Sequence, residues 1–457
     1  MIRKVLIANR GEIAVRVIRA CRELGIETVA VYSTADEIAL HTQLADEAVC
    51  IGPPAPKDSY LNTYNVLSAA SVSGADAIHP GYGFLSENSK FVRMCNKSNI
   101  IFIGPDAEAM EKMGDKLMAR KIMTDANVPV IPGSLDALDG VDDAIACAGK
   151  VGYPVMIKAA SGGGGRGIRK VEKEEDMEGA YTAAEQEAIG AFGDGTLYME
   201  KCLEDARHIE VQILCDNFGN AIHLFERECS LQRRNQKVME EAPSVAFSPE
   251  KRMEIGEAAV RAAKASGYKN AGTIEFLLDE DGNFYFMELN ARVQVEHPVT
   301  EMITDIDIVR EQILIAGGKP LTYEQNDIRL EGHAIECRIN AEDPENNFMP
   351  SIGTINTLHF PGGPGVRFDT AMYTGYKIPP NYDSMIGKLI VHAPTRDLAL
   401  AKMRAAITEL VVEGVEINAD FQLDLLNHKD VIAGKLDTGL VGRIMEQKTK
   451  RRGKSKA

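Results

Sequence analysis

The chain runs to 457 residues, 45% hydrophobic and 26% charged, and 51 basic against 67 acidic side chains leave a formal net charge of −16. A chain this long exceeds one compact core and is expected to divide into roughly two to four domains. Its acidic surface excludes general nucleic-acid binding while permitting local basic pockets for anions. The 8 cysteines form no CxxC or Cys/His cluster, and neither a signal-peptide apolar region nor a membrane-length apolar run occurs. A cytoplasmic protein without disulfides, zinc or a membrane span is expected.

KVLIA near the start reads as a strand, EIAVRVIRACRELG as a helix ending at Gly25, and TVAVYS as a second strand, a βαβ unit on a parallel sheet. With ADAIHPG and IIFIGP as further strands, residues 1–113 are expected to form a doubly wound, Rossmann-like α/β domain. Its first loop, NRGEI, lacks GxGxxG, so nothing supports dinucleotide binding. HPGYGFLSEN places Gly81 and Gly83 around Tyr82 after a strand, where such folds hold ligands; a structural turn explains it equally well.

DKLMARKIMTDANV is helical and leads to the proline-punctuated VPVIPG. A small region over 131–203 follows, with YPVMIK, a glycine run, IRKV, an Ala/Glu-rich helix and the strand TLYMEKCL. Of residues 162–167, all but Arg166 are glycine. The run sits between two apolar strands, so it caps a hairpin rather than linking domains. Backbone amides without Cβ can approach phosphate oxygens, and Lys158 adds a point charge. A lid that is mobile when empty and closes over a phosphate group is expected, with a merely floppy hairpin tip as the alternative. It is not a Walker A loop, because no GK[ST] follows. The remainder, to about residue 445, alternates strands and helices as a larger antiparallel α+β region, and KTKRRGKSKA is expected to be a disordered basic tail over 446–457.

The richest passage is GTIEFLLDEDGNFYFMELNARVQVEHP. Asp281-Gly282 favours a two-residue type I′ turn, and that register puts Glu275 opposite Glu288, Cβ atoms about 5 Å apart. Two such carboxylates repel unless a cation lies between them, and with the Asn290 amide oxygen they suit Mg²⁺ shared with phosphates; an ordinary solvated sheet face is the alternative. If the strand continues, Glu288, Asn290, Arg292, Gln294 and Glu296 share one face, with Arg292 as an anion clamp and Glu296 as a general base. ERECSLQRRNQK gathers Arg227, Arg233, Arg234 and Lys237, either a local anion site or a solvated charge run.

The order of IANRGEIAVRVIRACRELG, AIHPGYGFLSEN, MGDK, YPVMIKAASGGGGRG, YMEK, RHIEVQ, CSLQRRNQK, EFLLDEDGNFYFMELNARVQVEHPVTEM, GHAIECRINAEDP and PPNYDSMIGKLI spans residues 7–390. It resembles biotin carboxylase, an ATP-grasp family, in the form of the separate subunit of acetyl-CoA carboxylase (the enzyme of fatty acid biosynthesis) or of two-subunit pyruvate carboxylase. The resemblance implies a multidomain α/β and α+β protein: an N-terminal domain over 1–113, an ATP-grasp domain over 114–330 with a lid subdomain over 131–203, and an antiparallel C-terminal domain over 331–445. It implies ATP-dependent carboxylation of carrier-linked biotin with bicarbonate, through carboxyphosphate. Lys116 and Lys158 then contact the ATP phosphates under a lid containing Gly164 and Gly165. Glu200, Lys201, Leu203 and Leu277 line the adenine site, with His208 near the ribose and Gln232 in the same ATP site. Glu275, Glu288 and Asn290 hold Mg²⁺, with Mn²⁺ as an alternative. Lys237, Arg292, Gln294, Val295 and Glu296 hold bicarbonate, Tyr82 and Arg338 face biotin, and Lys237, Arg292, Glu296 and Arg338 are the catalytic set. Implied partners are a biotin carrier protein, a carboxyltransferase and a second copy of the chain. Asn235 stands where the family pattern has histidine and cannot carry charge. No Ala-Met-Lys-Met biotinylation motif is present, so the carrier is expected on another polypeptide. Another ATP-grasp ligase, of the carboxylate–amine type, is the rival reading; it needs neither Arg338 nor the RVQVEHP wall.

Overall fold

The computed structural model describes residues 2–161 and 167–455, with side chains through Lys448. Gly164 and Gly165, and with them the expected lid closure, lie outside the described residues. Five parallel strands, β1 (Lys4–Ile7), β2 (Glu27–Ser33), β3 (Glu47–Gly52), β4 (Ala77–His79) and β5 (Ile101–Phe102), form a sheet in the order β3-β2-β1-β4-β5. Leu6, Ile7, Val29, Val31 and Ile78 are fully buried, as the continuous apolar runs of a two-sided parallel sheet require. The helix Gly11–Glu23 ends as expected, with Gly25 in the left-handed region at φ +69°. Strand order reverses between β1 and β4, and the Tyr82 loop leaves β4 at that switch point. Asn9 braces the loop by donating from Nδ2 to the carbonyls of Pro80 and Tyr82, both at 2.7 Å.

The small region is an antiparallel sheet, β7-β6-β8, of β6 (Val155–Ala159), β7 (Ile168–Val171) and β8 (Leu197–Lys201). Val155 pairs with Val171 and Lys158 with Ile168, the hairpin expected around the glycine run. The helices Val141–Val151 and Met177–Phe192 pack on it around their own core of Ala144, Ala148, Ile157, Val171 and Ala184.

One eight-stranded antiparallel sheet carries the rest. In order, it holds β13 (Phe284–Asn290), β12 (Asn270–Leu278), β9 (Arg207–Cys215), β10 (Ala221–Arg233), β11 (Gln236–Ala242), β14 (His333–Asn340) and the strands Met385–Ala393 and Val366–Thr370. It bears out the antiparallel reading, and it joins segments on both sides of residue 330 through the β11–β14 pairing. The helix Leu440–Ser455 continues through the stretch expected to be disordered. Lys, Arg, Gln, Glu and Met favour helix, so the basic composition that suggested a frayed tail also propagates this one. All 8 cysteines are free, and Cys50 is the exposed one.

Candidate active site

Glu275 lies opposite Glu288, by a different route from the expected one. The turn has three residues, not two: the Asp279 amide donates to Asn283 O at 2.9 Å and the Gly282 amide to Asp279 O at 3.2 Å, with Gly282 at φ +81°. That shifts the register by one, and a bulge at Met287 restores it before Glu288. Glu275 accepts from Gln294 Nε2 at 2.8 Å and Lys237 Nζ at 3.2 Å, and His208 Nε2 lies 3.1 Å from its other oxygen. Burial acts to raise the Glu275 carboxyl, but Lys237 and His208 hold it far below the usual range. Burial, then the charge of Glu275, raises Glu288, against the pull of Lys116. One carboxylate is ionised and its neighbour resists ionisation, the state that a cation between them relieves. Asn290 Nδ2 is buried and has no hydrogen-bond partner among the described residues. The hard oxygens of Glu275, Glu288 and Asn290 fit a divalent cation.

Lys116 opens the helix Lys116–Asp125 behind its N-cap Asp115. Burial lowers its ammonium while Glu288 raises it, with Lys158 and Glu200 also within electrostatic reach. The Glu200 carboxylate is shared between Arg120 and Lys158. Lys201 directs its ammonium away, onto the carbonyls of Gly152 and Tyr153 at 2.9 Å, so only its backbone is left for an adenine ring. Leu203, just beyond β8, and Leu277, the cross-strand neighbour of His208, are half-buried. Gln232 Nε2 meets His208 Nδ1 at 2.8 Å.

Lys237, Arg292, Gln294, Val295, Glu296 and Arg338 line one cavity of about 280 Å³. They do not reach it along a single strand. β13 ends at Asn290, and Glu296, at φ −82° and ψ 10°, caps the helix His297–Thr304. Pro298, in the first turn with its φ preset for helix, favours this early start over an extended wall. Glu296 accepts from Lys237 Nζ at 2.7 Å and from Arg338 Nη2 at 3.0 Å. Burial opposes its charge, yet Lys237, Arg338 and Arg227 keep it ionised, well below the carboxylate range. Arg338 also donates from Nε to Glu240 at 2.6 Å. Arg292 donates to Glu87 at 3.0 Å and to Asn290 Oδ1 at 3.1 Å. Tyr82 donates to Glu12, which lies 3.2 Å from Lys388.

The four cations of ERECSLQRRNQK do not form one anion site. Arg227, 0% exposed, is spent on Glu210, Gln212, Thr273, Gln294 and Thr300. Arg233 stacks on Phe348, 3.8 Å from the ring centroid, and Arg234 bonds Asn347. Of the four, Lys237 alone lines the cavity, and it does so from β11, whereas Arg227 and Arg233 lie on β10 and Arg234 in the turn that follows. Arg234 and Asn235 form the two-residue turn between β10 and β11, both with positive φ (50° and 63°). That geometry suits asparagine at 235.

Glu210, Glu240, Glu87, Arg120 and Lys388 were not singled out from sequence. Glu210, fully buried, faces Lys237, Arg227 and His208 at 3.2 Å. Its signal was present: in RHIEVQ, His208, Glu210 and Gln212 alternate with apolar residues on one strand.

A family model described as "Biotin carboxylase, N-terminal domain" matches residues 1–110, and "Carbamoyl-phosphate synthase L chain, ATP binding domain" matches 115–324. "Biotin carboxylase C-terminal domain" matches 336–443. Biotin carboxylase 1 of Bacillus subtilis (strain 168) is 56% identical over 439 residues, covering 96% of this chain and 98% of its own length. The chain belongs to the biotin carboxylase family. The crystal structure of a biotin carboxylase complex with β,γ-ATP from Campylobacter jejuni is similar at a TM-score of 0.94 and 50% identity, over 97% of this chain and 99% of the other. The biotin carboxylase domain dimer of Hydrogenobacter thermophilus 2-oxoglutarate carboxylase, in complex with MgADP, ADP and bicarbonate, follows at 0.92 and 51%, over 97% and 98%. Family and fold class agree with the reading of the sequence. Among the described residues no helix is long and apolar enough to cross a membrane.

Proposed function

We propose that the chain carboxylates biotin on a separate carrier protein, using bicarbonate and ATP, and so performs the first half-reaction of an acyl carboxylase. The observation that carries this is Glu296, a buried carboxylate held between Lys237 and Arg338 in the cavity that also presents Arg292, Gln294 and Val295. An acceptor of protons between two cations suits bicarbonate, an anion that must lose a proton to attack a phosphoryl group.

Lys237 and Arg292 bind and orient bicarbonate, and Glu296 takes its proton. Lys116 and Lys158 neutralise the ATP phosphates, and Gly164 and Gly165 are assigned to the phosphate lid. Glu200, Lys201, Leu203, His208, Gln232 and Leu277 surround the nucleoside. Glu275, Glu288 and Asn290 would hold Mg²⁺, which would supply positive charge to the phosphates. Carboxyphosphate releases CO₂, its phosphate takes the biotin N1 proton, and Arg338 balances the charge on the ureido oxygen. Tyr82, fixed by Glu12, borders the ring. The matched segments agree with three domains bounded near 113 and 330, and the separate sheet β7-β6-β8 with its own core agrees with a lid subdomain over 131–203. The Hydrogenobacter dimer supports a homodimer and the use of magnesium. The acyl acceptor belongs to a separate carboxyltransferase, and the free cysteines suit a reducing, cytoplasmic location. ATP hydrolysis that requires bicarbonate and rises with free biotin tests this reading; hydrolysis indifferent to both contradicts it.

A further inference from the structure

Beneath Arg338 lie two buried acids that no step above uses both of. β11 and β14 pair with Glu240 directly opposite Glu336, and the two side chains are 1% and 0% exposed. Glu240 gives Oε1 to Arg338, but among the described residues its Oε2 has no hydrogen-bond partner, and neither oxygen of Glu336 has one. Two carboxylates about 5 Å apart at Cβ cannot both ionise in a dry interior. Three orphan acceptors across one rung of a sheet lack a donor, and a proton is the donor that serves both side chains.

The charged and titratable groups around Glu336 come from every neighbouring element. They are Glu240 on β11, Cys337 and Arg338 on its own strand, Lys388 on Met385–Ala393, Glu296 at the helix cap and Tyr82 from the N-terminal domain. Lys388 is already committed: Nζ donates to the Val295 carbonyl at 2.8 Å and lies 3.2 Å from Glu12. Burial holds the Glu336 carboxyl well above its ordinary range despite Lys388, and Glu240 adds to the rise. Burial also raises Glu240, against Arg338.

We propose that Glu240 and Glu336 hold one proton between them, and that Glu336, its carrier, is a positioning residue for Arg338. The Glu336 O–H donates to Glu240 Oε2, which leaves Oε1 to fix the guanidinium beside Glu296. A second full charge on Glu336 would draw Arg338 down into the sheet and away from the cavity. The inference rests on the carboxylation reading only through the role given to Arg338.

Two substitutions in the full chain test it. Glu336→Gln keeps a donor for Glu240 without a titratable proton; Glu336→Leu removes the donor. Glu336→Gln retains kcat for free-biotin carboxylation within about twofold near neutrality, and stays active at alkaline pH where the parent declines. Glu336→Leu lowers kcat/KM for biotin about tenfold and leaves the Kd for ATP unchanged. Identical alkaline limbs in parent and Glu336→Gln overturn the proposal. A readout independent of activity is the infrared difference spectrum of the parent, which loses a protonated-carboxyl C=O band on alkaline titration. A parent spectrum without that band overturns the proposal even if neither variant folds.

Discussion

Arg338→Gln isolates the biotin side of the site. The guanidinium bonds Glu240 at 2.6 Å and Glu296 at 3.0 Å, and those acids are 1% and 2% exposed. Glutamine keeps a donor but no charge, so it cannot balance an oxyanion on the ureido oxygen. One charge-assisted contact of that kind is worth about 3 kcal/mol at the transition state, or about a hundredfold in kcat for biotin carboxylation. Glu296 keeps Lys237 at 2.7 Å, so bicarbonate-dependent ATP cleavage without biotin falls by no more than about fivefold. The fold loses about 1–3 kcal/mol, because Glu240 loses its cation but, with burial already raising its carboxyl, can take up a proton instead. Steady-state rates with and without free biotin, and calorimetry for ATP, separate these effects. Equal losses in the two rates, or weakened ATP binding, would refute the assignment.

Glu87→Gln frees Arg292 from a half-exposed pair and raises the KM for bicarbonate about threefold with little change in kcat; an unchanged KM counts against Arg292 as the clamp. Chelating Mg²⁺ abolishes ATP turnover but leaves circular dichroism and thermal midpoint unaltered, because Lys237 already supplies positive charge to Glu210, Glu275 and Glu296; unfolding on chelation contradicts this. His41 and His223 are lowered from 6.5 to about 4, and His79 and His297 to about 3, chiefly by burial. They fold neutral, so their stability contribution is complete above pH 6.5 and is lost as pH falls toward those values, at about 1.4 kcal/mol per histidine per pH unit. Denaturant midpoints flat between neutrality and about pH 5 contradict that count.

The parallel N-terminal sheet was legible because strands buried on both faces leave unbroken apolar runs, and because Gly25 marks the helix end with a backbone geometry few other residues take. The Glu275–Glu288 pair was legible for a partly wrong reason: a three-residue turn and the bulge at Met287 cancel, and neither changes which residues are apolar. The wall from Glu288 to Glu296 was not legible as drawn, since alternation cannot reveal that a proline-led helix begins at His297 and swings Glu296 into place. Arg227 misled in the same way. Charge in a run looks like a surface, but on a central strand its side chain enters the interior and must be bonded on every side. The acids Glu210, Glu240 and Glu336 belong to different strands, and only the sheet order brings them beneath the cavity.

The most direct measurement of the central claim follows labelled bicarbonate into free biotin with the isolated full chain, Mg²⁺ and ATP. Acid-labile label is expected on biotin, formed together with ADP and phosphate and lost on Glu296→Gln. ATP hydrolysis that proceeds without bicarbonate, or without label appearing on biotin, would contradict it.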